Sequence, residues 1–258
     1  MNSKHSNGII RRWTTEMNES IVITDLCKGY RDVRALDRVS LTVQKGELFG
    51  LLGVNGAGKT TLIKILSGLV SKTAGEASVA GLSVPRDLKK IKEIIAVSPQ
   101  ETAIAPNLTV MENLRFFAAV YGKKDEERLQ RIVRTFHLET VLGRRAKTLS
   151  GGWGRRLSIA LALVSEPQVL FLDEPTLGLD VLARRELWEI IRALKGKITV
   201  VLTSHYLEEI EALCDRVAIL SSGHLLETGS VAEIKARTGK DSFEGAFVAV
   251  VEGGVSAS

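Results

Sequence analysis

Short apolar runs alternate with helical patterns along most of the chain. Strand-like runs occupy 21–24, 39–43, 48–52, 94–97, 169–172, 199–203 and 216–220. Several are rich in Val, Ile and Leu with no polar alternation, which marks strands covered on both faces, as in a parallel sheet. Between them, 60–69 sets Leu62, Ile63, Leu66 and Leu69 along one helical stripe, and 180–194 does the same with Leu187, Ile190, Ile191 and Leu194. The stretch from about 103 to 164 reads as mostly helix without a convincing strand, and predicts a helical subdomain inserted into an α/β core. Residues 1–20 are polar and aperiodic and read as a loose tail, with Met17 a candidate start just before the first structured segment. Strands alternating with helices predict an open α/β sheet whose binding site lies at the carboxyl ends of its strands.

Composition narrows the class. The chain has 258 residues, 45% hydrophobic and 25% charged, which excludes a disordered chain, a collagen-like repeat and a coiled-coil rod. Cys27 and Cys214 cannot form a disulfide framework and lack metal-ligand spacing, so a reducing, cytoplasmic compartment is expected. The longest apolar region, 157–172, is interrupted by Ser165, Glu166 and Pro167, and no stretch reaches the ~20 apolar residues of a membrane-spanning helix. The N-terminus lacks the apolar region of a secretory signal. A net charge of +5, with 5% aromatics and no dense basic block, argues against a nucleic-acid partner; Lys89, Lys90 and Lys92 read as a solvated helix face.

Candidate chemistry begins at Gly53. Gly53-Val54-Asn55-Gly56-Ala57-Gly58-Lys59-Thr60 matches G-x-x-x-x-G-K-[ST] at every defined position, after an apolar run and before a helical stripe. The glycines let the backbone curl and aim its N–H groups inward, and the helix start adds unpaired donors and a partial positive charge. That is a cradle for a di- or triphosphate. Lys59 supplies a point charge to the β- and γ-phosphate oxygens, and Thr60 offers a hydroxyl to Mg²⁺; Thr61 follows as a further nucleotide-binding position. The run 169–172 ends in Asp173 and Glu174, acids at the carboxyl edge of a buried strand. Asp173 is placed to hold Mg²⁺, and Glu174, facing the other way, to polarise a water for in-line attack on the γ-phosphorus.

A second glycine motif, Leu149-Ser150-Gly151-Gly152, precedes a helical stretch from 153 to 164. Ser150 suits a helix N-cap, and the same geometry makes a second anion site. Two anion loops in one chain meet either across the fold or across a dimer interface.

With these motifs in order, the chain resembles the ATP-binding subunits of ABC transporters from about Ile21 to about Lys235. In that resemblance Leu149–Gly152 is similar to the family signature, Gln100 in Ser98-Pro99-Gln100-Glu101 to the Q-loop glutamine, Gly178-Leu179-Asp180 to the D-loop, and His205 in Thr203-Ser204-His205 to the switch histidine. Tyr30 stands where the family stacks an aromatic on adenine. The resemblance implies a P-loop NTPase (RecA-like) α/β core of the ABC ATPase type, with the inserted helical subdomain and an N-terminal antiparallel β subdomain. It divides the chain into a tail at 1–20, the ATP-binding domain at 21–237 and a short C-terminal extension at 238–258. It implies ATP and Mg²⁺, with Thr60, Gln100 and Asp173 toward the metal, and Glu174, His205, Lys59 and Gln100 toward catalysis.

The partners it implies are a second ATP-binding subunit, a homodimer being favoured, and a separate transmembrane permease at the cytoplasmic face of the plasma membrane. Each ATP would lie between the phosphate loop of one subunit and Ser150, Gly151 and Gly152 of the other. Gln100 would connect the metal site to the permease through the helical subdomain, and Asp180 would link the two sites. The sequence departs from the pattern at Trp153 and Gly154, where the family usually continues with Gln or Met after the signature, and at Val181, where Pro is common. The stretches 105–114, 155–160 and 241–247 resemble ATPases of the ABC-2 type exporters. The alternative, a soluble ABC-type ATPase of translation or repair, usually has two such domains or a long coiled-coil insert.

Overall fold

The computed structural model describes residues 18–31 and 33–255. Most of the tail expected at 1–20, and Met17, lie outside the described residues. Glu19 and Ser20 already belong to the first strand, because Glu19 pairs with Gln44 and the Ser20 carbonyl accepts from the Ala80 N–H at 2.6 Å.

Two sheets organise the chain. β1 (Glu19–Tyr30), β2 (Val33–Gln44), β4 (Ala74–Val79) and β5 (Leu82–Val84) form an antiparallel sheet in the order β2-β1-β4-β5. β3 (Leu48–Leu52), β6 (Ile95–Ser98), β7 (Val169–Asp173), β8 (Thr199–Ser204), β9 (Arg216–Ser221) and β10 (His224–Gly229) form the second, in the order β10-β9-β3-β8-β7-β6. All of its neighbours are parallel except the edge strand β10, which runs antiparallel to β9.

The unbroken apolar runs of this second sheet follow from burial on both faces. Leu48, Leu52, Leu170, Leu172, Val200 and Leu202 enter one core, with the helical middle of the chain. Phe49, Leu51, Val169, Phe171 and Val201 point the other way, into a core shared with the antiparallel sheet and the helix after β3. Strict alternation is therefore present, but both faces are covered.

The helices are α1 (Lys59–Leu66), α2 (Leu88–Ile94), α3 (Val110–Val120), α4 (Glu126–Thr135), α5 (Gly151–Leu163), α6 (Val181–Arg192), α7 (Leu207–Leu213), α8 (Val231–Thr238) and α9 (Phe243–Val255). The helix expected over 60–69 stops at Leu66, where Gly68 turns at φ 70° and the Ser67 hydroxyl donates to the Ile63 carbonyl. The strand expected at 94–97 starts one residue later because Ile94 closes α2. Asp180 caps α6 rather than joining it.

α3 begins with a reciprocal capping box between Thr109 and Glu112, and the buried Asn113 side chain ties the preceding loop down through Ala105 N–H, Ala105 O and Thr109 O. α5 lies within the stretch expected for the helical insert and joins it to the sheet: Leu157, Ile159, Ala160 and Leu161 pack in the same core as Leu170 and Leu172. At the C-terminal end, α9 buries Phe243 and Ala246 in that core. Among the described residues no helix is long and apolar enough to cross a membrane.

Candidate nucleotide site

The loop from Gly53 to Gly58 joins β3 to α1 at the carboxyl edge of the parallel strands. Two of its glycines are required by space. A Cβ on Gly53 would lie 2.3 Å from the Leu220 carbonyl oxygen, and one on Gly58, which sits at φ 107°, would lie 2.6 Å from that of Ala35. No side chain caps α1, so its first-turn N–H groups remain donors at the positive end of the helix. The Lys59 ammonium is buried beside them and donates to Gly53 O at 2.6 Å and Val54 O at 3.3 Å. Burial pulls its pKa down, while the carboxylates of Glu174 and Asp173 act against that shift.

Asp173 ends β7 and Glu174 follows it. The Thr60 hydroxyl is 3.4 Å from both Asp173 oxygens, and the Thr203 hydroxyl donates to Asp173 Oδ1 at 2.6 Å. Thr203 Oγ1 also accepts from the Glu174 N–H at 2.9 Å. Glu174 adopts φ 49°, a left-handed conformation that a non-glycine residue takes at a cost, and one met mainly where the surroundings hold a site in place. Its Oε2 is 2.7 Å from Nδ1 of His205, the residue that follows β8, so the acid and the histidine are in direct contact. Neither Thr203 nor Arg155, whose guanidinium on α5 donates to the Asp173 and Glu174 carbonyls, was singled out as a site residue by sequence reasoning. A threonine in an apolar strand and an arginine in a helix carry no local signal of such a role.

One cavity of about 600 Å³ gathers Asn55, Gly56, Ala57, Gly58, Lys59, Thr60, Thr61, Gln100, Glu174 and His205, together with Ala35 and Leu177. Gly53 and Asp173 adjoin it through Lys59 and Thr60. The volume is in the usual range for a small-molecule site. Tyr30 is not in the lining: it ends β1, 42% exposed, with the Lys28 ammonium 4.6 Å from its ring centroid.

Ser150, Gly151, Gly152 and Asp180 also lie outside the lining, at the adjacent N-termini of α5 and α6. A Cβ on Gly152 would stand 3.1 Å from Ala183 Cβ. The two caps differ. Asp180 Oδ1 accepts from Leu182 N–H and Ala183 N–H, both at 2.9 Å. Ser150 occupies the N-cap of α5, but its hydroxyl makes no capping bond, contrary to the ordinary N-cap reading. The exposed Ser150 hydroxyl and the first-turn donors of α5 thus remain available to an anion.

Among the described residues no cluster of three or more His, Cys, Asp or Glu side chains could hold a metal ion. Near the phosphate loop the oxygen donors toward a metal are the Asp173 carboxylate, the Thr60 hydroxyl and the Gln100 amide, while the Glu174 carboxylate in the same cavity contacts His205. That sparse oxygen set fits Mg²⁺, which takes one or two carboxylates and keeps waters and phosphate oxygens for the rest.

A family model described as ABC transporter matches residues 36–177. The chain belongs to the ABC transporter family. It is 37% identical over 236 residues to the probable multidrug ABC transporter ATP-binding protein YbhF of Escherichia coli, a match covering 88% of this chain and 41% of that protein. It is 40% identical over 221 residues to the linearmycin resistance ATP-binding protein LnrL of Bacillus subtilis, covering 83% of this chain and 70% of that one. The chain therefore spans about two fifths of the first relative's length and more than two thirds of the second's. A solved ATP binding subunit of an ABC transporter superposes with a TM-score of 0.80 at 31% identity, over 90% of this chain and 99% of that one. The fold is that of an ABC ATPase domain, within the P-loop NTPase class.

Proposed function

We propose that this ABC family member binds Mg-ATP in the cavity and hydrolyses it between two copies of the chain, powering export through a separate transmembrane permease. The observation that carries the reading is the 2.7 Å contact between Glu174 Oε2 and His205 Nδ1 in the same cavity as the phosphate loop. The N–H groups of 56–61 and the Lys59 ammonium hold the phosphates. Thr60, Asp173 and Gln100 would hold Mg²⁺, which would supply charge neutralisation at the β- and γ-phosphate oxygens. Glu174 takes the proton of the attacking water, and His205 fixes the carboxylate's orientation and contacts the γ-phosphate. Tyr30 stacks on the adenine.

The uncapped N-terminus of α5 supports a head-to-tail dimer. Ser150, Gly151 and Gly152 lie outside the chain's own cavity, so the anion they suit is the γ-phosphate of the partner copy's ATP. Asp180, at the neighbouring helix end, links the two sites. Hydrolysis removes the bridging phosphate, and the different affinities of closed and open dimers for ATP and ADP supply the work.

Gln100 joins the cavity to the helical subdomain. There α3 exposes Phe116 and Val120, and its C-cap Tyr121 is exposed beside them, which supports docking of an apolar permease segment at the cytoplasmic membrane face. The names of relatives concerned with multidrug transport and linearmycin resistance support the exporter group.

The test is Glu174→Gln. ATP turnover should fall by about 10²–10⁴-fold, the usual value of a general base, while ATP binding persists and an ATP-bound dimer accumulates on size exclusion. Unchanged turnover would sink the assignment of Glu174. Co-purification with a membrane protein, set against none, separates transport from a stand-alone ATPase.

A further inference from the structure

One buried guanidinium gathers carbonyl oxygens from two loops distant in sequence. Arg155 lies in the second turn of α5 and is 4% exposed. Its Nε donates to Pro175 O at 2.7 Å, and its Nη2 to Asp173 O and Glu174 O, both at 2.8 Å. Its Nη1 donates to Pro99 O at 2.6 Å and Gln100 O at 3.1 Å. All five N–H donors are thus engaged, and every acceptor is main chain.

A buried charge is costly unless its donors are satisfied, and here they are satisfied by the backbone of the two loops that carry the site. Burial depresses the guanidinium's pKa, while the nearby carboxylates of Asp173, Glu209 and Glu174 favour its charged form. Lysine could not replace this arrangement, because a single ammonium lacks the planar fork that spans both loops. The neighbouring contact between Ser98 Oγ and Ser158 Oγ, 3.3 Å apart, adds a second tie between the end of β6 and α5.

Of the five residues whose carbonyls Arg155 holds, Glu174 alone has a positive φ. Glu174 sits at φ 49° with its N–H on Thr203 and its carbonyl on Arg155, so both ends of the residue are fixed from outside its own strand. Ser150, the N-cap of the same helix, lies less than two turns from Arg155.

We propose that Arg155 is a positioning residue that locks α5 to the backbones of Gln100 and Glu174, so that an anion bound at Ser150–Gly152 sets the geometry of the chain's own water-activating acid. This rests on the reading of those three residues as contacts to the partner copy's ATP. It makes Arg155 the connection, within one chain, between the nucleotide that the chain hydrolyses and the one that it helps its partner to hold.

The experiment compares full-length wild type, Arg155→Lys, Arg155→Gln and Glu174→Gln. Arg155→Lys should lower kcat by about tenfold or more, with KM and the dissociation constant for ATP within about twofold of wild type. Without nucleotide, hydrogen–deuterium exchange should rise in peptides covering 97–102 and 173–178 and stay unchanged elsewhere. Wild-type kcat with unchanged exchange in both peptides would overturn the proposal. So would a loss matched by weaker ATP binding or by faster exchange throughout the molecule, the mark of a merely structural residue. Should Arg155→Lys fail to fold, Arg155→Gln carries the test on the same criteria. The exchange measurement needs no turnover, so it judges Arg155 even if the Glu174→Gln control shows that another group activates the water.

Discussion

At the end of β8 the Thr203 hydroxyl accepts from the Glu174 N–H and donates to Asp173, so one side chain fixes both acids. Thr203→Val should cost about 1–3 kcal/mol, the penalty of leaving buried polar groups without partners, and should lower kcat more than ATP affinity. Denaturant titration and steady-state turnover on the same protein check both. Behind the His205 loop, Glu209 is fully buried; its Oε1 accepts from Trp188 Nε1 at 3.1 Å and its Oε2 has no partner among the described residues. Burial raises its pKa above the ordinary value of 4.5. The sign then follows: an acid whose folded pKa is raised stabilises the fold most near and below its unfolded value, and that contribution is lost as pH rises through the folded value. Stability measured against pH should therefore fall less steeply above 4.5 in Glu209→Gln than in wild type. The phosphate loop and the Asp173–Glu174 pair were legible because their chemistry sits in consecutive residues. Thr203 and Arg155 were not, since each acts on residues far along the chain.

Between elements, the departure from the family pattern at Trp153 has a packing role. The Arg156 guanidinium lies 4.7 Å from the Trp153 ring centroid and pairs with Glu186 on α6, while the indole packs on the main core. Trp153 thus braces α5 against α6, the two helices whose N-termini carry Ser150 and Asp180. Trp153→Gln should cost about 1–2 kcal/mol through the lost cation–π contact and should change both the ATPase rate and ATP-dependent dimerisation. Thermal denaturation and size exclusion with and without ATP report these, and identical results for both proteins would remove the role. The sequence made the long apolar strands legible because burial on both faces leaves a dense apolar run. It hid β4 and β10, whose exposed or half-buried residues dilute the pattern, and α9, whose few anchoring residues include Phe243 and Ala246.

At the scale of the whole molecule, the parallel sheet separates two cores, and the nucleotide cavity opens at its carboxyl edge. The α/β class and the inserted helices were legible from the alternation of runs, because each layer needs its own hydrophobic period. The relation of the two anion loops was not, since one chain holds both and a sequence does not say whether they face each other. In the structure they do not share a cavity, and on the proposed reading each site is completed by a second copy. A mixing experiment tests this directly. Lys59→Ala disables the phosphate loop of one copy, and Ser150→Arg, at an exposed position, blocks the α5 N-terminus of the other. Each variant alone should be almost inactive. Mixed in equal amounts they should regain ATP hydrolysis, because half of the mixed dimer's sites combine an intact phosphate loop with an intact Ser150 loop. A mixture no more active than the variants apart would contradict a site shared between two chains.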